Sequence, residues 1–236
     1  MKLLEIKDLE KHYNGNEGLN GIDMHIPSGE IVGLLGPNGS GKTTLMKTIA
    51  GLLSPDKGEI TYPGNAKRGI ESKKTISFLP DFMMFPSWMC VKDAFTYQQD
   101  MYPDYSSEKA AEMIELLELP MDSLIKKMSK GMQERVSLGL AFSRKTSLYL
   151  LDEPLGGIDP VGKMKVLSSI LSMDLADTSI ILSTHLVKDV ETIFDSFYFI
   201  SNGTIIQNGN CEELRAQSGK TVEQLYLEVF SNVKTV

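Results

Sequence analysis

The segment Gly36-Pro37-Asn38-Gly39-Ser40-Gly41-Lys42-Thr43 constrains this chain most, because it follows directly on the compact apolar run Ile31–Leu35. A short apolar run bounded by turn residues reads as a strand buried on both faces. Glycines at 36, 39 and 41 followed by Lys-Thr match the P-loop pattern. Glycine lets the backbone turn until its N–H groups converge on phosphate oxygens, and the N-terminus of the following helix adds its dipole. Lys42 reaches β- and γ-phosphates, and the Thr43 hydroxyl suits Mg²⁺. The candidate binding residues here are Gly36, Asn38, Gly39, Ser40, Gly41, Lys42, Thr43 and Thr44. The helix is expected to run through Ala50 and stop at Gly51. A second Gly-Lys-Thr, in Ser218-Gly219-Lys220-Thr221, has Leu214 where a glycine is needed and no buried strand before it. It reads as a helix boundary.

A second apolar run, residues 148–151, ends in Asp152-Glu153. That ending places two carboxylates at the carboxyl edge of a parallel sheet, where α/β folds bind ligands. Asp152 is the expected Mg²⁺ residue, and Glu153 the one that polarises an attacking water. By itself such a pair is equally a strand running out into solvent; the phosphate loop gives it meaning. His185 follows the strand signal at 179–183. Taken alone it is a solvated or capping histidine.

Around these motifs, strands are expected at 2–7, 22–26, 59–62 and 197–200, the last joined through Asn202-Gly203 to 204–207 as a hairpin. Residues 90–143 read as helical, with Ala110, Ile114 and Leu117 on one face, a break at Pro120, and Val136 with Leu140 on another face. Asp159-Pro160 reads as a helix cap and first position, with Met164, Leu167 and Leu171 behind. Residues 211–236 read as two short helices. Alternating strands and helices imply an α/β fold with a mostly parallel sheet, an antiparallel N-terminal flap and an inserted helical subdomain. We expect one domain over 1–236, with core lobes at 1–80 and 144–236 and helices at 81–143.

The net charge of −7, without a basic cluster, argues against nucleic acid as a partner. Two isolated cysteines suit a reducing cytoplasm. The N-terminus turns charged too early for a signal peptide, and no apolar run nears the ~20 residues that cross a bilayer. Any membrane work therefore falls to another chain.

With these motifs in place, the chain resembles the ABC transporter nucleotide-binding domain over nearly its whole length. Met128-Ser129-Lys130-Gly131-Met132, followed by Gln133-Glu134-Arg135, is similar to that family's signature motif and lies just ahead of the Asp-Glu strand. Lys130 stands where glycine is usual, Met128 where leucine is, and Met132 where glutamine is common. Ser129 and Gly131, which approach phosphate, are kept. The resemblance implies further roles. Tyr13 matches the aromatic that stacks on adenine, against the plainer reading of an aromatic packed in the flap. Asp159, in Gly157-Ile158-Asp159, matches the loop that crosses the dimer interface, and His185 the γ-phosphate sensor. Asp81, in Phe78-Leu79-Pro80-Asp81, takes the place of the family's glutamine as a metal or water contact. The run from Phe82 to Met89, dense in methionine and aromatics, is either core or a groove for a cytoplasmic helix of a membrane subunit.

The resemblance implies an ATPase using ATP and Mg²⁺, with Lys42, Glu153 and His185 catalytic. Two copies, or two paired subunits, would enclose ATP head to tail, the Ser129 and Gly131 of one closing the site of the other. Separate transmembrane permease subunits would hold it on the inner membrane face. Asp81 and the Ser-Lys-Gly-Met wording lean toward export of drugs, peptides or lipids. The alternative is a soluble ABC ATPase of the scaffold-assembly or mechanotransducing kind, bearing the same motifs.

Overall fold

The computed structural model describes residues 2–13, 16–82, 85–86 and 88–232. Its strands are β1 (Lys2–Tyr13), β2 (Asn16–Pro27), β3 (Ile31–Leu35), β4 (Lys57–Thr61), β5 (Ile76–Leu79), β6 (Leu148–Asp152), β7 (Ser179–Thr184), β8 (Ser196–Ser201) and β9 (Thr204–Asn210). Six of them form one sheet in the order β5-β6-β7-β3-β8-β9, parallel except for the β8–β9 hairpin at its edge. The other three form an antiparallel sheet in the order β2-β1-β4.

Successive side chains of a strand point to opposite faces, and both faces of the large sheet are covered. Leu148 and Leu150 of β6 join the apolar cluster under the antiparallel sheet, while Tyr149 and Leu151 join the cluster under the helices. The same division separates Val32 and Leu34 from Ile31 and Leu35 in β3. This double burial is why these strands read as continuous apolar runs.

The helices are α1 (Lys42–Ile49), α2 (Ile70–Lys74), α3 (Val91–Met101), α4 (Ser107–Leu116), α5 (Lys130–Phe142), α6 (Pro160–Leu171), α7 (Val187–Val190), α8 (Cys211–Ser218) and α9 (Val222–Asn232). Ser106 caps α4, Ser129 caps α5 and Asp159 caps α6, each accepting a backbone N–H of the first turn. Ala110, Leu117, Val136 and Leu140 are buried as their spacing requires. Arg144, buried just beyond α5, pairs with Asp104 and donates to the carbonyls of Ile76 and Lys73. Its guanidinium carbon lies 4.1 Å from the centre of the Tyr102 ring. One side chain thus pins the helical region to the start of β5. The second Gly-Lys-Thr lies where α8 ends, with Gly219 as a left-handed C-cap.

Two expectations are corrected. The opening strands are twice as long as their apolar stretches. β1 continues past Lys7 because Asp8 adopts a positive φ of 46° and register shifts absorb the irregularity. Pairing on both edges of β1, with Asp56 Oδ2 accepting the His12 N–H at 2.6 Å, satisfies backbone groups that a charged sequence alone would leave to water. On α6, Met164 and Leu171 face outward at 69% and 62% exposure, whereas Val166 and Ile170 are buried. Apolar residues occur on more than one face of that helix, so its period does not identify the inner one.

Candidate functional site

β3 delivers the chain into the loop 36–41 against the edge of β8. A Cβ on Gly36 would stand 2.3 Å from the Ile200 carbonyl oxygen, so only glycine lets the loop pass there. Gly41, at φ 111°, turns the backbone straight into α1, whose N-terminus therefore opens at the loop. Tyr13, Asn38, Gly39, Gly41, Lys42, Thr43, Thr44, Asp81 and Glu153 line one cavity of about 550 Å³ beside the loop. Gly36 and Ser40 build the loop itself. Tyr13 is 43% exposed at this cavity and is not packed away in the flap.

Lys42 is 5% exposed, and its Nζ donates to the carbonyls of Gly36 at 2.8 Å and Pro37 at 3.1 Å. The same Nζ lies 3.3 Å from Glu153 Oε1. Glu153 in turn lies 3.0 Å from His185 Nδ1 and accepts from Thr184 Oγ1 at 3.2 Å. Its backbone N–H is held by Ser183 through both the carbonyl and the side-chain oxygen. The residue sits at φ 50°, a region that costs a non-glycine residue on the order of 1–3 kcal/mol. A strained backbone fixed by the next strand aims this carboxylate back over the phosphate loop.

Asp152, 1% exposed, is at the end of β6 just beneath. Its Oδ1 accepts from Ser183 Oγ, and the Thr43 hydroxyl also faces the carboxylate. Burial pushes its pKa up, and the charges of Asp81 and Glu153 add to that, against the hydroxyls of Ser183 and Thr43. Its Oδ2 is buried with no hydrogen-bond partner among the described residues. A crowded, partly unsatisfied carboxylate beside a hydroxyl fits a divalent cation. Among the described residues no group of three or more His, Cys, Asp or Glu could hold a metal unaided. That suits Mg²⁺, which typically binds one or two carboxylates together with substrate phosphates.

Ser129, Gly131 and Asp159 lie elsewhere. The Ser129 and Asp159 oxygens cap α5 and α6, and Gly131 packs on the backbone of Ile158. The segment Gly157-Ile158 thus rests on the start of α5, with the Lys130 side chain laid over Gly157. A separate, largely apolar cavity of about 570 Å³ includes Phe78, Phe82, Phe85, Met89, Tyr97 and Tyr102 in its lining. Phe85 and Met89 pack partly on the core, while Phe82 and Trp88 are exposed at 59% and 67%. Met83, Met84 and Ser87 of that run lie outside the described residues. Sequence reading missed Gly18, Asn202 and Gly203 as lining of the cavity beside the loop. The Asn-Gly turn was legible, but nothing local says which loop it faces.

A family model described as ABC transporter matches residues 19–156. The chain belongs to the ABC transporter family. It is 33% identical over 225 residues to the ABC transporter ATP-binding protein YxlF of Bacillus subtilis (strain 168), covering 93% of this chain and 75% of that one. It is 28% identical to the lipopolysaccharide export system ATP-binding protein LptB of Haemophilus influenzae (strain ATCC 51907 / DSM 11121 / KW20 / Rd), covering 96% and 98%. A solved ATP-binding subunit of an ABC transporter superposes with a TM-score of 0.85 at 27% identity, covering 97% and 99%. The ABC assignment makes this an ATP-binding subunit, and ATP-binding domains of this family are ATPases. Among the described residues no helix is long and apolar enough to cross a membrane.

Proposed function

We propose that this chain is the ATP-hydrolysing subunit of an ABC exporter, working as an ATP-enclosing pair on the inner face of a membrane through separate permease subunits. The observation that carries the hydrolytic part is the Glu153 carboxylate, held by Thr184 and His185 at the mouth of a phosphate loop whose lysine it contacts. In this reading Glu153 accepts a proton from the attacking water and His185 fixes its orientation. Lys42 exchanges its present contacts for β- and γ-phosphate oxygens. Thr43 and Asp152, with Asp81 beside them, would hold Mg²⁺, which would supply charge neutralisation at the phosphates.

The paired state is supported by the distribution of the phosphate-approaching residues. Ser129 and Gly131 lie outside the cavity that the same chain's Lys42 lines, so a second copy is needed to supply them. The apolar cavity beside Phe82 and Tyr97 suits a permease helix, because aromatics and methionine adapt to apolar partners. Export is supported by Asp81, by the Ser-Lys-Gly-Met wording and by the likeness to LptB.

ATP turnover and ATP-dependent dimerisation of the wild type and Glu153→Gln test the reading together. Turnover should fall about 100-fold or more, the usual scale for removing a general base, while an ATP-bound dimer accumulates. Normal hydrolysis by Glu153→Gln would refute its role.

A further inference from the structure

The turn between β8 and β9, Asn202-Gly203, is built into the ATP site. The Gly203 N–H donates to the Ser40 carbonyl at 2.9 Å, and the Gly203 carbonyl accepts from Asn20 N–H at 2.8 Å. One turn residue therefore joins the phosphate loop to β2. The packing there is backbone on backbone. A Cβ on Gly203 would stand 2.8 Å from the Gly18 carbonyl oxygen, and one on Gly41 would stand 3.0 Å from the same atom. Gly18 in turn is against the Tyr13 ring, 2.9 Å from where its own Cβ would be. This chain of contacts links the turn through Gly18 to Tyr13, and Asn202 and Tyr13 line the same cavity. Asn202 is exposed, and its amide makes no hydrogen bond to the described residues.

Turn chemistry explains an asparagine at φ 46° followed by glycine. It does not explain the placement of that amide on the rim of a ligand cavity. A neutral amide, both donor and acceptor, matches the uncharged polar groups of a nucleoside better than phosphate. We propose that Asn202 is a further nucleotide-binding residue, its amide hydrogen-bonding the nucleoside whose base packs on Tyr13. The proposal rests on the reading of this cavity as the ATP site.

The test compares binding of Mg-ATP and of inorganic tripolyphosphate to the wild type, Asn202→Gly and Asn202→Asp. Glycine suits the turn's positive φ and deletes only the amide. Asn202→Gly should bind ATP about three- to tenfold more weakly, the scale of one neutral hydrogen bond, with tripolyphosphate affinity and melting temperature unchanged. Asn202→Asp, which loses the donor, should also weaken ATP. If the Asn202→Gly penalty disappears with 2′-deoxy-ATP, the contact is to ribose; if it persists there and disappears with GTP, it is to the base. Both outcomes uphold the proposal. Equal ATP affinity for wild type and Asn202→Gly overturns it, as does an equal loss for ATP and tripolyphosphate, which would mean that the turn acts only through Ser40. A wild type that binds neither ligand would sink the ATP-site reading itself.

Discussion

At the scale of single residues, the site is an electrostatic arrangement that is already closed on itself. Lys42 is satisfied by two carbonyls and Glu153, and Glu153 by Thr184 and His185. An incoming phosphate must therefore displace existing contacts, and its charge must outweigh one carboxylate. Glu134, on the first turns of α5, is a different case. One of its oxygens lies 3.6 Å from Lys130 Nζ, while the other is buried with no partner among the described residues. Burial pushes its carboxyl up to about 7, against the pull of Lys130. The folded chain thus holds this proton more tightly than an unfolded chain, whose carboxyl titrates at 4.5. The resulting stability is present below the unfolded value and is lost as pH rises through about 7. Urea midpoints should therefore fall between roughly pH 5 and pH 8 more steeply for the wild type than for Glu134→Gln, leaving the variant the more stable at the upper end. Parallel profiles would remove Glu134 from the account.

At the scale of elements, Ser129 and Asp159 cap the starts of α5 and α6. Asp159 caps α6 through the N–H groups of Val161 and Gly162. Those N–H groups, Gly162 first, hold its carboxyl below the usual carboxylate range. Asp159→Ala should lower the melting temperature, and Asp159→Ser should recover most of the loss, because serine caps almost as well. If Asp159 also contacts a second copy, Asp159→Ser will fold like the wild type yet form the ATP-dependent dimer poorly. Full recovery of both properties by serine would leave it a cap only. Thermal melts and size-exclusion chromatography with ATP separate these outcomes.

At the scale of the whole molecule, the proposed nucleotide cavity and the proposed partner surface are neighbours. Asp81 lines the cavity beside the glycine-rich loop, and Phe82, the next residue, lines the apolar cavity. A partner seated against Phe82 thus lies one residue from the candidate metal site. Tyr97, exposed on α3 in edge contact with Phe85, offers the cleaner probe of that surface. Tyr97→Glu should leave the basal ATPase of the isolated chain unchanged and abolish its stimulation by the co-expressed permease. A variant that is stimulated as fully as the wild type would place the permease elsewhere.

The phosphate loop, the acidic strand end and the buried strands were legible because their chemistry is local. A buried parallel strand must be apolar throughout, and a phosphate cradle must have glycine where the backbone turns. The cap at Asp159 follows from the same kind of local rule, whereas the cap at Ser129 was not read from the sequence. What the sequence could not determine depends on which remote segments are brought together. The length of β1 was decided by partners on both of its edges, and the inner face of α6 by the helices it packs against. Nothing near Asn202 in sequence places its turn on Gly18 and Ser40, and nothing near Glu153 says that β7 will hold it in a strained conformation over Lys42. Those are long-range backbone contacts, and only the folded chain has them.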